Sequence, residues 1–190
     1  HPQEFSDAAS HWAKDAINDM GSRLVISGTE DGLFTPDRDI TRAEFAAIIV
    51  RGLGLKTEGD SPVFADVQST DWYSSIIATA HAYGLISGYE DDTFRPNEKM
   101  TREQAMTIIA RAMKLTGLKE QLPDQSADIT LQSFRDASAV SAWALNGAAD
   151  TVQAGIISGK SANTLDPKAN MTRAEVAAVI QRLLKISGLI

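Results

Sequence analysis

Residues 40–44 read Ile-Thr-Arg-Ala-Glu, a helix start that contains one residue of the wrong charge. Thr41 followed three positions later by Glu44 is a capping box, in which each side chain satisfies a backbone N–H of the first turn. Arg42 then falls at the first helical position. The helix start already carries about half a positive charge and unpaired N–H groups, so a cation is disfavoured there. The same arrangement returns as Met-Thr-Arg-Glu-Gln at 100–104 and as Met-Thr-Arg-Ala-Glu at 171–175. A local mismatch kept three times has a cause outside the helix.

Working outward from the three motifs exposes an internal repeat, the feature to establish before any other. The chain's three tryptophans, Trp12, Trp72 and Trp143, each lie 16 residues before the glycine of a Ser-Gly pair (Gly28, Gly88, Gly159). Each also lies 29 residues before the motif threonine (Thr41, Thr101, Thr172). A Phe-x-Asp opens every copy (Phe5 with Asp7, Phe64 with Asp66, Phe134 with Asp136), and a proline stands five before each threonine (Pro36, Pro96, Pro167). The repeats run over 5–55, 64–118 and 134–189. The polar, proline-bearing stretches 56–63 and 119–133 read as linkers.

Each repeat reads as helix, turn-rich loop, helix. Trp72, Ile76, Ala80 and Tyr83 recur at helical spacing in the first helix of the second copy, with Trp12, Ala16 and Met20 matching in the first. On this reading the tryptophans fill the core, or show a ring edge to a groove. The loop from Ser87 to Met100 holds turn formers, including a glycine suited to positive φ. Gly84 and Gly155 suit left-handed helix caps, or leave room for a ligand to approach the backbone. The first copy has Leu24 at that position and Gly21 three earlier, which predicts a different helix end. Apolar stripes at Phe45, Ile48, Ile49 and Leu53, at Ile108, Ile109 and Met113, and at Val176, Val179, Ile180, Leu183 and Leu184 mark the second helices. One helical hairpin cannot bury such a stripe alone, so the expectation is an all-α, pseudo-threefold body.

Composition narrows the function. A net charge of −7 with no basic run argues against nucleic acid. No stretch approaches the roughly 18 apolar residues of a membrane span, so no membrane insertion is expected. The chain opens on His-Pro-Gln-Glu-Phe-Ser-Asp, with no secretory signal legible in it, which decides nothing about export. The absence of cysteine excludes disulfides and thiolate chemistry. Taking Gly32 as the sixth residue of a calcium loop puts Ser27 first and Arg38 twelfth, where carboxylates are needed, so the acidic residues there read as turn formers. The histidines, His1, His11 and His81, have no metal-ligand spacing and no nucleophile motif is present, so no enzyme, metal or cofactor is expected.

Arg51, Arg111 and Arg182, nine residues after the motif arginines, sit near helix C-termini, where a cation is favoured. The helix-start arginines admit two readings: an ion pair with an acid such as Asp7, Asp66 or Asp136, or a site for an external anion at a helix start with free N–H groups.

The order Phe-x-Asp, His11-Trp12-Ala13, Leu85-Ile86-Ser87-Gly88 and Asp31 through Glu44 resembles the S-layer homology (SLH) domain of Gram-positive, Bacillus- or Paenibacillus-type surface proteins, and three tandem copies cover nearly the whole chain. The resemblance implies a pseudotrimer with one helix per repeat in a central three-helix bundle and grooves between adjacent repeats. It implies extracellular anchoring through secondary cell wall polymer, commonly by a terminal N-acetylmannosamine carrying a 4,6-pyruvate ketal, with the motif arginine in the groove. The site residues carried over are Arg42, Arg102, Arg173, Asp7, Asp66, Asp136, Trp12, Trp72, Trp143, Gly21, Gly84 and Gly155. Other S-layer subunits are further partners, through parts of the protein absent from this chain. A protein-interaction module with the arginines in structural ion pairs is the alternative.

Overall fold

A computed structural model describes residues 4–29, 31–57 and 63–190. His1, Glu30 and most of the linker expected over 56–63 lie outside the described residues. Among the described residues the fold is all-α: eight α-helices, three short 3-10 turns and isolated bridge pairs, with no strand. The helices are α1 (Lys14–Ser22), α2 (Arg42–Gly52), α3 (Ser74–Ala82), α4 (Arg102–Leu115), α5 (Leu118–Gln121), α6 (Ala127–Leu131), α7 (Leu145–Gln153) and α8 (Arg173–Ile186). They are grouped in two compact units, one of residues 1–99 with 172–181 and one of residues 100–171 with 182–190.

In the first unit α2 packs against α3. The second helices of the repeats are buried far beyond one stripe: Ala43, Phe45, Ala46, Ala47, Ile48, Ile49 and Val50 are all inaccessible on α2. Alanine at three of these positions removes the bulk that would hold neighbouring elements off. In the second unit α4 packs against α7, where a Cβ on Gly147 would already stand 3.0 Å from the Thr107 backbone. The stretch expected as a linker over 119–133 is partly helical. It holds α6, which packs on α7 through the buried Leu131.

The three capping boxes form as expected. Glu44, Gln104 and Glu175 donate their backbone N–H to Thr41, Thr101 and Thr172, and their side chains accept the threonine N–H in return. Ile40 and Phe45, which flank the Thr41 cap where a hydrophobic staple forms, are fully buried.

The first helices correct the sequence reading. Gly84 and Gly155 are left-handed, at φ 73° and 75°, and Leu24 takes the same conformation at 62°. The closing bonds match as well: Val25, Leu85 and Ile156 donate to Met20, Ala80 and Thr151. The first repeat therefore keeps the helix end expected to differ, and carries a side chain where the other two have none. Gly21 lies buried inside α1, so it is no groove-facing glycine; Leu24, 78% exposed, occupies that place. Left-handed geometry costs a non-glycine residue about 1–2 kcal/mol, partly offset by glycine's greater unfolded-state entropy. Leu24→Gly is therefore expected to stabilise the chain by about 0.5–1 kcal/mol, read as a raised urea midpoint. An unchanged or lowered midpoint would contradict it.

The Ser-Gly glycines differ in kind. Gly88 is not at positive φ, contrary to the turn reading. A Cβ there would stand 2.3 Å from Cε1 of Phe64, and one on Gly28 2.8 Å from Cε1 of Phe5. The Phe-x-Asp ring lies on the glycine, which is why the two recur together in every repeat although their separation varies, at 23, 24 and 25 residues.

Candidate functional site

The misplaced arginines build the site. In each repeat the residue before the conserved-spacing proline is left-handed without being glycine: Thr35 at φ 53°, Arg95 at 58° and Asp166 at 49°. A residue preceding proline ordinarily stays extended, so these positions store strain of about 1–3 kcal/mol each. The Phe-x-Asp carboxylates hold them there. Asp7 accepts the N–H groups of Phe34 and Thr35 at 3.0 and 2.8 Å. Asp66 accepts those of Phe94 and Arg95, both at 2.8 Å. Asp136 accepts those of Leu165 and Asp166, both at 2.9 Å. Two charge-assisted bonds of about 1.5 kcal/mol or more apiece outweigh the strain. Burial raises the Asp136 pKa, but the bonds from Leu165 and Asp166 outweigh it and hold the carboxyl below its ordinary value.

The strained peptide then offers its carbonyl to an arginine from a different repeat. Arg42 Nε donates to the Phe94 carbonyl at 2.8 Å, Arg102 Nε to that of Leu165 at 2.7 Å and Arg173 Nε to that of Phe34 at 2.9 Å. The aspartates and arginines are thus joined through one peptide unit rather than by a direct ion pair. The arginines are 6, 4 and 7% exposed.

The helix starts are not open anion sites either. Arg42 and Ala43 donate their backbone N–H to the carbonyls of Glu98 and Pro96. Arg102 and Glu103 donate to Ala169 and Pro167, and Arg173 and Ala174 to Arg38 and Pro36. The third N–H goes to the capping threonine, so the backbone donors expected to meet an anion are taken by a neighbouring loop. That leaves the Nη ends of the guanidinium. Arg173 spends them on the Ser27 carbonyl at 2.7 Å and on Glu44 Oε2 at 2.9 Å, and Glu44 Oε2 also accepts from Arg38 at 2.9 Å. Arg102 Nη2 donates to the Ser158 carbonyl at 3.0 Å.

Burial opposes ionisation of Glu44, but hydrogen bonds from Thr41 and the charges of Arg173 and Arg38 outweigh it and hold its pKa below the ordinary value. The sign follows from linkage: this stabilisation is complete above the unfolded-state value of about 4.3 and is lost as pH falls through the lower folded value. Glu44→Gln is therefore expected to flatten the acid limb of a stability-pH profile. An unchanged limb would show that the pair contributes nothing.

The tryptophans correct the core-filling reading. Trp12, Trp72 and Trp143 are 66, 59 and 60% exposed, and Trp72 precedes α3 rather than lying on its buried face. In the first unit Trp72 lines a cavity of about 860 Å³ together with Ser27, Phe34, Glu44, Arg51 and Arg173. Gly84 and Gly155 have open space where a Cβ would project. Asp31 and Asp91 bind the Leu33 and Thr93 N–H groups, so they close turns. No group of three histidine, aspartate or glutamate side chains able to hold a metal occurs among the described residues.

A model of the S-layer homology domain matches residues 4–46, 63–106 and 133–177. The chain belongs to the S-layer homology domain family. Among its relatives, an amylopullulanase of Thermoanaerobacterium thermosulfurigenes is 40% identical over 99% of this chain and 10% of its own length. Exoglucanase XynX of Acetivibrio thermocellus is 39% identical over 97% of this chain and 16% of its own. A surface-layer 125 kDa protein of Lysinibacillus sphaericus is 35% identical over 93% and 14% respectively. The chain thus spans a tenth to a sixth of these relatives, and in the enzymes the SLH region is an addition to a separate catalytic part. SLH domains are anchoring modules that bind cell wall polymers, which places this chain at the cell surface.

What the sequence missed in the SLH site is the loop backbone. Nothing in Phe-Thr-Pro, Phe-Arg-Pro or Leu-Asp-Pro announces a left-handed residue. The exchange of Glu44 and Glu175 for Gln104 was legible as a charge difference, but gained meaning only once Glu44 was found on Arg173.

Proposed function

We propose that this SLH chain holds a surface protein to the cell wall by binding secondary cell wall polymer at its arginine-bearing grooves, with terminal pyruvylated N-acetylmannosamine as ligand. It acts by binding, without catalysis. The observation that carries this reading is the cavity of the first unit, where an exposed indole and three arginine side chains, Arg38, Arg51 and Arg173, face one space of about 860 Å³. An indole offers apolar area for a sugar face at small entropic cost, and arginine forks match sugar hydroxyls and carboxylates. The repeats over 5–55, 64–118 and 134–189 are proposed as three homologous walls of such grooves.

The module is expected to sediment with purified sacculi and to stay in solution once their secondary polymer is stripped. Trp72→Ala should weaken binding by about thirtyfold, the effect of losing a buried aromatic anchor, with an unchanged melting temperature. Equal sedimentation with stripped sacculi would reject the polymer as partner.

One observation favours the reading of the arginines as structural. Arg173 already carries a carboxylate, and it comes from the protein.

A further inference from the structure

We propose that the two arginine sites of the first unit are unequal by construction: Arg42, with Arg95 and Tyr89, takes the carboxylate of the ligand, whereas Arg173 is occupied by the chain's own carboxylate, Glu44. The inference rests on the reading that this module binds an acidic glycan.

Arg173 and Arg42 share their main contacts. Both are buried, both donate Nε to the carbonyl of a strained loop, and both lie over the aromatic ring of that loop residue, 4.7 Å from the Phe34 centroid and 4.6 Å from that of Phe94. They part at the outer end of the guanidinium. Glu44 Oε2 sits 2.9 Å from Arg173 Nη1, where a bound carboxylate would sit. Among the described residues no carboxylate stands within ion-pair distance of Arg42. The charges that act on it from nearby are Glu98, Arg95 and Asp66. Asp66 has both oxygens on backbone amides, and exposed Glu98 stands 4.0 Å from Arg95.

A buried cation without a counter-ion is costly. Burial is the main influence on Arg42 and lowers its pKa; Arg95 pushes in the same direction, against the opposing pull of Tyr89, Glu98 and Asp66. The Arg95 and Arg42 guanidiniums lie 3.8 and 5.0 Å from the Tyr89 centroid. The places of Tyr89 and Arg95 are filled by Thr29 and Thr35 in the first repeat and by Lys160 and Asp166 in the third. The pairing of an aromatic with a second arginine is thus peculiar to the second repeat. An incoming carboxylate would be the missing counter-ion of Arg42 and would relieve its repulsion with Arg95. In the Arg173 cavity the same carboxylate would have to displace Glu44 from both Arg173 and Arg38, which also lines the cavity, or else meet only exposed Arg51, screened by water. That cavity is left to uncharged sugar.

The sequence supplies a clean substitution. Gln104 keeps the capping box that Glu44 makes, so Glu44→Gln preserves the helix start while freeing Arg173. Titrations of the full chain would use N-acetylmannosamine with and without its 4,6-pyruvate ketal, followed by calorimetry and by NMR of the arginine side chains. In the parent, the pyruvylated sugar is expected to shift Arg42 and Arg95 and leave Arg173 unmoved. Arg95→Gln should weaken that binding about tenfold. Glu44→Gln, confirmed folded by its melt, should bind one more pyruvylated sugar than the parent. Unchanged stoichiometry in Glu44→Gln, or parent shifts confined to Arg173, would overturn the proposal. Sacculus sedimentation keeps the two readings apart. If sacculi are retained but the pyruvylated sugar is bound no better than the bare sugar, this inference fails and polymer anchoring stands; if neither is bound, both fail.

Discussion

Gly159→Ala is expected to cost at least about 3 kcal/mol, the upper end of overpacking penalties, and to leave the chain largely unfolded well below the parent's melting temperature. The added Cβ would stand 2.2 Å from the Ser161 carbonyl oxygen, 2.6 Å from that of Thr164 and 2.9 Å from Cε1 of Phe134. Two of these three atoms are backbone. They belong to a bridged turn that is also closed by the Ser161 and Thr164 hydroxyls at 2.8 Å, so neither can yield without opening it. Gly84→Ala provides the contrast. Its Cβ meets nothing within 4 Å and only its φ of 73° is strained, so a loss of about 1 kcal/mol is expected. Urea unfolding of both variants decides the matter. A Gly159→Ala loss no larger than that of Gly84→Ala would show that the turn yields, and that close packing on the Phe-x-Asp ring is not why the glycine recurs.

Replacing Arg173 by methionine should cost about 3 kcal/mol, the order found when one partner of a buried ion pair is removed. The change leaves the carbonyls of Phe34 and Ser27 without their donor and strips Glu44 of one of its two cations. Among the described residues Arg42→Met abandons one carbonyl and no carboxylate, so about 1–2 kcal/mol is expected, the cost of leaving a buried polar group unsatisfied. Adding Glu44→Gln to Arg173→Met should recover part of the loss, because the abandoned charge goes too. Thermal and urea unfolding of the single and double variants test this ordering. Equal losses for Arg173→Met and Arg42→Met would remove the distinction between a neutralised arginine and an unneutralised one.

A good deal of this molecule was legible in its sequence. Capping boxes depend on side chains three residues apart, so Thr41 with Glu44 and its two counterparts fixed the helix starts without reference to any neighbour. The repeat itself followed from spacing, as did the left-handed caps at Gly84 and Gly155 and the all-α class. Glycine can be recognised as permissive from its identity alone. What it permits cannot: Gly88 serves a ring from another part of its repeat, and Leu24 takes a glycine's conformation without being one, because the helix end is dictated by the chain on both sides. The tryptophans were misread for a related reason. Helical spacing places residues on a face only where there is a helix, and Trp72 stands before α3 begins.

The arginines mark where sequence ends. Their oddness was visible locally, as a cation at a helix start, but its cause lies in the backbone carbonyl of a loop 52, 63 or 139 residues away. A carbonyl has no letter in the sequence. Its direction depends on a strained φ at the following residue, and that strain is held by an aspartate near the beginning of the same repeat. Only the folded chain brings aspartate, peptide and arginine into line, and only there does Glu44 reach Arg173 while Arg42 meets no carboxylate among the described residues.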